Sequence, residues 1–368
     1  MNQNDKRLLA LVKSGLWKNE PLYDLFSGMN NEDWEVIFKQ ASIQGVMGIA
    51  YDGLFPWIDK IKVPQQLLLK WTANVDAMEK RYNKQYETLE TLIAFYAKNN
   101  IKVLILKGIG LSMLYPYPFH REGGDIDIYL FDDFSKGNEL IESVGIKFDK
   151  DKNVNPKHSV FYWKNIYVEN HQWFLNWHGI FKKNKHIEFI LRQEARVENC
   201  EKVMIGNQEA YVPSSAFNAL YIMGHMASHM ISSSIAVRHL CDWAVFLNKY
   251  YAEIDLQKIE NVFVKTNLFK SYKIINNLIL KHITLPDKIN ISYEEKFQKM
   301  EEIIWRKNIS PPLDLKNDKK QNKANILFFK LLKLKERYRI SILLNNRIFA
   351  FKMLLYTIGK KIVKIFTF

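Results

Sequence analysis

The sequence has only two cysteines, Cys200 and Cys241, and this scarcity excludes a fold held together by several disulfides. Their separation fits no metal-ligand pair, so we expect two buried thiols in a reducing cytoplasm. The chain also lacks an uncharged stretch long enough to cross a bilayer, and Met1 to Arg7 leads into only a short apolar patch, unlike a secretory signal. These absences favour a cytosolic protein.

Before residue 315 the chain has little excess charge of either sign. The net charge is +14, and residues 315–368 supply +12 of it, with fourteen Lys and Arg against two acids. Enzymes that act on nucleic acid usually carry Lys and Arg along the groove that holds the phosphates. A polymerase or a tRNA-modifying enzyme therefore fits poorly, and nucleic acid is not expected as a partner.

With 48% hydrophobic and 25% charged residues in 368, the chain has an ordinary globular composition and room for two or three modules. Helical spacing of apolar residues, with one start at Asn31 and a long helix after Pro64, predicts helices up to residue 99. The next segment mixes helices with strands at 102–106, 126–130, 159–163 and 166–169, and a hairpin near Gly206. A helical pattern follows, which Ser214 or Ser215 can cap.

We therefore predict an α+β protein in which a small mixed β-sheet core is flanked by N-terminal and C-terminal helical modules. The predicted domains are an N-terminal helical module (1–99), an α/β core (100–212), a C-terminal helical module (213–312), and a basic linker with an amphipathic helical tail (313–368). The apolar stripe and the lysines of residues 326–368 suit peripheral contact with an anionic membrane at its inner face, or a partner helix. An equally favoured alternative is that these residues form an ordinary pair of C-terminal helices packed on the domain.

The stretch that carries chemistry runs from Leu104 to Leu130. It contains Lys107-Gly108-Ile109-Gly110, a Tyr-Pro-Tyr-Pro bend, and Arg121-Glu-Gly-Gly124-Asp125-Ile-Asp127 on a predicted strand. Alternate strand residues share a face, so the two aspartates are placed to bind divalent metal ions together. Taken alone, an acidic pair at a strand end is more often an ordinary surface feature.

This order of motifs resembles the core of nucleotidyltransferases of the polymerase-beta type, and in particular a bacterial branch described only as nucleotidyltransferase family proteins. In that branch a third carboxylate lies in a Val-Glu-x-His strand, matched here by Val168-Glu169-Asn170-His171. A downstream helical region with paired histidines and an Arg…Asp pattern is matched by His225, His229, Arg238 and Asp242. The resemblance covers roughly residues 30–250.

The resemblance implies transfer of a nucleoside monophosphate, AMP from ATP being expected, to a small molecule or protein side chain with Mg²⁺ (or Mn²⁺) as cofactor. Asp125, Asp127 and Glu169 would be the catalytic residues and metal ligands. The residues expected to bind the nucleotide are Lys107, Gly108, Gly110, Arg121, Gly124, His171, His225 and Arg238. One departure is Ile109, which follows Gly108 where the wider superfamily often has Ser or Gly.

Several assignments stay open at this level. Lys107 and Arg121 are equally suited to bind a triphosphate or to pair with acids of the protein. His225 and His229 could line the cleft, pack internally or, least of all, bind zinc. Arg238 and Asp242 have the spacing of an ion pair within a helix. Trp173, Phe174 and Trp177 fit a core better than a base-stacking surface.

The competing function is a catalytically silent adaptor that keeps the fold and acts at a membrane surface or in a complex. The presence of all three carboxylates argues against it, because a degenerate site usually loses one.

Overall fold

The structure is a computed structural model that describes residues 1–149, 157–175, 185–232, 235–266 and 268–309, without the side chains of 231, 232, 307 and 308. The helices are α1 (Gln3–Trp17), α2 (Asn31–Ile43), α3 (Met47–Leu54), α4 (Gln65–Ala97), α5 (Ile109–Ser112), α6 (Phe134–Ser143), α7 (Lys185–Glu194), α8 (Ser215–Ser232), α9 (Val237–Tyr250), α10 (Leu256–Val264), α11 (Phe269–His282) and α12 (Gln298–Ile304). The strands are β1 (Leu104–Ile105), β2 (Ile126–Tyr129), β3 (His158–Trp163), β4 (Ile166–His171), β5 (Glu201–Ile205) and β6 (Gln208–Val212).

The strands form one mixed sheet in the order β3-β4-β2-β1-β6-β5. β1 is parallel to β6 and β2 is parallel to β4, whereas the β1–β2, β3–β4 and β5–β6 pairs are antiparallel. With helices before and after this sheet, the predicted α+β architecture is confirmed. The division into four domains stays a prediction.

Local sequence explains several of the element ends. Lys164 and Asn165 both have positive φ, as a two-residue hairpin turn requires, and they join β3 to β4. Pro64 is the N-cap of α4, and Ser214 Oγ accepts a hydrogen bond from Phe217 N at the start of α8. α2 begins at Asn31 as predicted, but its N-cap is Asn30 rather than Asn31, because the Asn30 side chain accepts from Asp33 N. The helix α7 was not predicted.

The two faces of the sheet pack against different parts of the chain. Ile126 and Ile128 of β2 lie in a core cluster with the second half of α4 and with α6. The alternate residues Asp127 and Tyr129 therefore point to the opposite face, where Tyr129 contacts Phe174 at a ring-centroid distance of 4.8 Å. This second face looks towards α7 and the C-terminal helices, and it carries the acidic residues.

The helices at the two ends of the sequence share one hydrophobic core. A single cluster of buried residues includes Leu11 and Trp34 near the start and Trp243 and Ile275 in the C-terminal helices. Polar contacts cross the same boundary, among them Trp305 Nε1 to Asp5 Oδ2 at 3.3 Å. The sheet is thus supported by one helical body built from both ends of the described chain.

The structure can be compared with the expectations for the two cysteines and for membrane-spanning helices. Cys241 is buried but Cys200 is half-buried, and both are free thiols. Over the described ranges, no helix is both long enough and apolar enough to cross a membrane. The predicted linker and amphipathic tail, residues 313–368, lie outside the described residues.

Candidate active site

Three carboxylates meet where β2 and β4 pair in the sheet. Asp127 lies directly across the parallel ladder from Glu169, and Asp125 comes two residues before Asp127, so the three side chains share a face. One oxygen of each lies within 4.8 Å of the other two. The structure therefore brings together the three acids expected from the sequence to hold metal.

Asp127 is the most enclosed of the three, with 2% of its surface exposed. Its Oδ1 lies 2.8 Å from His171 Nε2 and 3.1 Å from Lys107 Nζ. Its Oδ2 is buried, and no group in the described chain forms a hydrogen bond with it. Burial alone would raise the pKa of Asp127, but Lys107 and His171 hold that pKa well below its usual range. The carboxylate is therefore ionised at neutral pH, with one oxygen left for a cation.

The other two acids have pKa values shifted in opposite directions. The negative charge of Asp127, and then burial, raise the pKa of Asp125. Burial also acts to raise the pKa of Glu169, but its interaction with His171 outweighs this and the net pKa is lowered. The pKa of Asp125 therefore lies above the ordinary value of an aspartate, and that of Asp127 lies well below it.

The glycine turn after β1 passes directly over these acids. Gly108 has φ of +59°, and a Cβ there would lie 3.4 Å from Asp125 O and 3.9 Å from Asp127 Oδ2. A residue with a side chain would be strained in this conformation. Gly110 faces away, since its Cβ position is 3.4 Å from Ile105 O on β1.

A cavity of about 340 Å³ opens beside the acidic cluster, between the sheet and the helices α8 and α9. This is within the size range of small-molecule sites, which is about 300–1,000 Å³. Nine of the predicted site residues line it: Lys107, Gly108, Arg121, Gly124, Asp125, Asp127, Glu169, His225 and Arg238. Gly110 does not line it, and neither does the fully buried His171, which contacts the lining residues Asp127 and Glu169.

Arg121 is held by an acid of the helical module. Its Nε and Nη2 donate to Asp242 Oδ1 and Oδ2 at 2.7 and 2.9 Å, and Tyr115 OH donates to Oδ1 at 2.6 Å. Burial by itself would raise the pKa of Asp242, yet the Arg121 guanidinium keeps it lowered. Of the two roles left open for Arg121, the structure supports the one of partner to a protein acid, and that acid is Asp242.

The predicted ion pair between Arg238 and Asp242 is wrong. Both carboxylate oxygens of Asp242 are engaged by Arg121, and Arg238 instead donates from Nη1 to Glu122 O at 2.9 Å. The Nε of Arg238 is buried and forms no hydrogen bond within the described residues. Arg238 thus supplies a positive charge to the wall of the cavity.

Three histidines form another part of that wall. His225 and His229 lie one turn apart on α8 with their Nε2 atoms 3.3 Å apart, and the His229 ring stacks on His239 of α9 at 4.9 Å. Burial lowers the pKa of His229 to about 4 and holds those of His225 and His239 well below their ordinary value, so all three are neutral at pH 7. Within the described ranges neither set of converging metal-ligand atoms includes His225 or His229, which leaves the zinc alternative without support.

A comparison with protein families matches residues 30–279 to a family of uncharacterised nucleotidyltransferases. This match covers more than half of the chain. The chain belongs to this nucleotidyltransferase family. Neither the curated proteins nor the solved structures contain a match to it.

The site of this nucleotidyltransferase includes residues that sequence reasoning missed, namely Lys157, His158, Tyr221 and His239. Burial, followed by the charge of Lys107, lowers the pKa of Lys157 to about 8. His158 could have been found by counting back from the Lys164–Asn165 turn, which places it opposite His171. Nothing in the local pattern distinguished Tyr221 from the apolar residues around it on α8.

The described aromatic residues near β4, Trp173 and Phe174, do not line the cavity of the nucleotidyltransferase. Phe174 is fully buried and packs on Phe217, and the Arg192 guanidinium lies 4.0 Å from the ring centre of Trp173. The predicted core position is confirmed for Phe174, whereas Trp173 is only half-buried. Trp177 lies outside the described residues.

Proposed function

We propose that this nucleotidyltransferase transfers AMP from ATP to a hydroxyl group of a small molecule or a protein, with two Mg²⁺ ions bound by Asp125, Asp127 and Glu169. The observation that carries the proposal is the convergence of these three carboxylates at the wall of a cavity of small-molecule size. Membership of the family supplies the reaction class. The donor base, the metal and the acceptor are the proposed parts.

The residues present fit a hard divalent cation. The donor set is made only of carboxylate oxygens, which Mg²⁺ prefers, and the buried Asp127 Oδ2 is without a hydrogen-bond partner in the described chain. An orphaned buried oxygen of this kind is costly unless something binds it. When bound, the ions would neutralise the triphosphate and polarise the α-phosphoryl group.

Other groups around the acids are placed to contact the phosphates, the base and the acceptor. Lys107, Lys157 and Arg238 line the cavity and are the cations we assign to the phosphates. Gly108 leaves room for a phosphate to approach the acids because no Cβ intervenes. The neutral His225 and the Tyr221 hydroxyl, which is buried without a hydrogen-bond partner in the described chain, offer polar contacts to the base or the acceptor.

In the proposed reaction the acceptor oxygen forms a bond to the α-phosphorus while the bond from that phosphorus to the α,β-bridging oxygen breaks. Pyrophosphate leaves, and the hydroxyl proton passes to Glu169 and then to solvent. Glu169 is suited to this because it is ionised and lies at the cavity wall. Alignment of the three reacting atoms is the protein's main contribution.

The test uses ATP labelled at either the α- or the γ-phosphate, with Mg²⁺ and pools of small-molecule and protein acceptors. Label from the α position should enter product and γ label should leave as pyrophosphate. Asp127→Asn should abolish incorporation, whereas Asp76→Asn, on the exposed face of α4, should not. Incorporation of γ label would indicate a kinase, and a comparison of the four α-labelled nucleotides tests the choice of ATP.

The alternative of a catalytically silent adaptor makes a different prediction. Such a protein would bind nucleotide or metal without catalysing a reaction. It would bind its partner equally well as wild type and as Asp127→Asn. Failure of all acceptors to take up label, together with failure to hydrolyse ATP, would favour it over transfer.

We also propose that residues 326–368 contact anionic membrane at its inner face, which the lysines and apolar stripe of this segment support. The full chain should sediment with vesicles rich in anionic lipid and not with zwitterionic ones. Reversing the charge of Lys360, Lys361 and Lys364 to Glu should abolish sedimentation without changing transfer. Equal binding of both proteins would refute the membrane contact.

A further inference from the structure

Two histidines extend the acidic cluster across the sheet towards its edge. In the antiparallel β3–β4 ladder His158 is paired with His171, and Glu169 lies two residues before His171 on the same face of β4. Glu169 is in turn paired with Asp127 on β2. One face of the neighbouring strands β2, β4 and β3 thus carries the carboxylates of Asp127 and Glu169 and the imidazoles of His171 and His158.

The ligand atoms of His158, Glu169 and His171 lie within 4.8 Å of one another. His158 Nδ1 is 3.4 Å and His171 Nε2 is 3.5 Å from Glu169 Oε2, and the two rings are 5.4 Å apart. This set is separate from the all-oxygen set of Asp125, Asp127 and Glu169, but it shares Glu169 with it. The two sets together describe two adjacent metal positions.

Hydrogen bonding orients one imidazole as a metal ligand. His171 Nδ1 lies 3.3 Å from Trp173 O, and a proton on Nδ1 donated to that carbonyl leaves a lone pair on Nε2. In that tautomer the lone pair would face Asp127 Oδ1 and Glu169 Oε2, and a cation bound there would take the place of the Nε2 proton that otherwise bonds to Asp127. Histidines that bind metals commonly donate their other ring N–H in this way.

Two further atoms in this cluster are buried and without hydrogen bonds inside the described ranges. They are His158 Nδ1, whose approach to Glu169 does not form a hydrogen bond, and Asp127 Oδ2. Asp127 is fully enclosed apart from 2% of its surface. A cation bound by His158, Glu169 and His171 would satisfy His158 Nδ1, and a cation bound by Asp125, Asp127 and Glu169 would satisfy Asp127 Oδ2.

We propose that His158, Glu169 and His171 form a mixed nitrogen–oxygen site that binds a first-row transition ion, Mn²⁺ or Zn²⁺, in preference to Mg²⁺. Imidazole nitrogen binds such ions well, whereas Mg²⁺ favours oxygen ligands. Of the two proposed metal ions, one Mg²⁺ would then stay with the all-oxygen set, and the transition ion would take the position beside it. The inference deepens the proposed function and rests on it for the role of the shared Glu169, but the binding itself needs no nucleotide.

The test measures metal binding to the full-length protein with metal ions alone. Mn²⁺ is titrated by electron paramagnetic resonance in the presence of excess Mg²⁺, and pulsed measurements detect coupling to directly bound ¹⁴N. The wild-type protein should retain one Mn²⁺ against Mg²⁺ and show coupling to imidazole nitrogen. His158→Gln should weaken that Mn²⁺ by at least the roughly 10- to 100-fold seen when an outer partner of a metal ligand is lost.

The matched control is His186→Gln, which alters an exposed histidine on α7 and should leave Mn²⁺ binding unchanged. Zn²⁺ binding to the same proteins, measured by equilibrium dialysis, checks whether the site also binds a second transition ion. Circular dichroism of each variant shows that the fold is intact.

Displacement of all Mn²⁺ by Mg²⁺, absence of nitrogen coupling, or wild-type binding in His158→Gln would overturn the inference and indicate that His171 serves instead as a hydrogen-bond partner of Asp127. AMP transfer supported by Mg²⁺ in that case would leave the proposed function standing. Conversely, tight His158-dependent Mn²⁺ binding without transfer from any nucleotide would refute the proposed function and keep the metal site.

Discussion

Replacing Asp242 with asparagine should destabilise the protein by about 3–5 kcal/mol, the usual cost of leaving one charge of a buried ion pair without its partner. Only 7% and 6% of the Arg121 and Asp242 side chains are exposed, and two charge-assisted hydrogen bonds join them. The asparagine keeps the shape of the side chain but removes the charge. The Arg121 guanidinium would then be buried without a counter-charge.

Urea unfolding followed by tryptophan fluorescence measures the free energy of unfolding. The control is Asp76→Asn, which breaks the Lys80–Asp76 pair, whose side chains are 75% and 58% exposed. That change should cost no more than about 1 kcal/mol. A triple variant, Arg121→Met with Asp242→Leu and Tyr115→Phe, should be less destabilised than Asp242→Asn because it leaves no buried polar group unpaired.

The pH dependence of stability gives an independent check. The pKa of Asp242 is lowered in the folded state, so its contribution to stability is complete above the pKa of an unfolded aspartate, about 3.9, and is lost as the pH falls through the lower folded value. The wild-type protein should therefore lose stability in acid more steeply than Asp242→Asn. If Asp242→Asn lowers the free energy of unfolding as little as Asp76→Asn does, the Arg121–Asp242 pair does not hold the bend before β2 against α9, and the prediction is wrong.

Three further predictions concern the cleft. The pKa of Lys157 is about 8, so its charge is lost as the pH rises through that value. The affinity for ATP, measured by isothermal titration calorimetry, should therefore fall near pH 8 in the wild type but not in Lys157→Arg. Gly108→Ala should raise KM for ATP and lower kcat, because φ at this position is +59° and the new Cβ would meet the acidic cluster. The control Gly145→Ala is also at positive φ but in open space, and it should only lower the free energy of unfolding, by about 1 kcal/mol. Because Asp127 raises the pKa of Asp125, Mg²⁺ affinity should begin to fall at a higher pH than for an ordinary aspartate, as calorimetry across the acid range would show.

Each of these has a clear contrary result. Parallel pH profiles for wild type and Lys157→Arg would remove Lys157 from nucleotide binding. Equal kinetics in the two alanine variants would mean that the Gly108 turn does not approach the substrate. A Mg²⁺ affinity that stays constant well into acid would show that Asp125 is not a ligand.

Short-range features of the fold were predictable because they follow from local chemistry. The Lys164–Asn165 turn fixes the register of β3 against β4, and the alternation of Asp125 and Asp127 fixes their face. The Glu169 strand could be placed beside them only through the resemblance to a family. Geometry then explained it, since the two strands are parallel neighbours.

Long-range pairing was not predictable from the same information. The spacing of Arg238 and Asp242 satisfied a helical rule, yet Arg121, 121 residues away in sequence, binds both oxygens of that carboxylate. A bidentate guanidinium from a fixed bend competes successfully with a neighbour on the helix surface. The same limit concealed Lys157 and His239, whose roles depend on which helices cover the sheet.

The shared core of the first and last helices has a consequence for how the protein is made. On a ribosome, α1 is complete long before its partners near Ile283 and Trp305 are synthesised, although Trp17 and Asp5 contact those residues in the folded chain. Contacts of such long sequence separation form slowly, and apolar surface stays exposed until they do. The nascent N-terminal helices are therefore expected to depend on chaperone binding, and an interrupted translation product should aggregate rather than fold into a smaller domain.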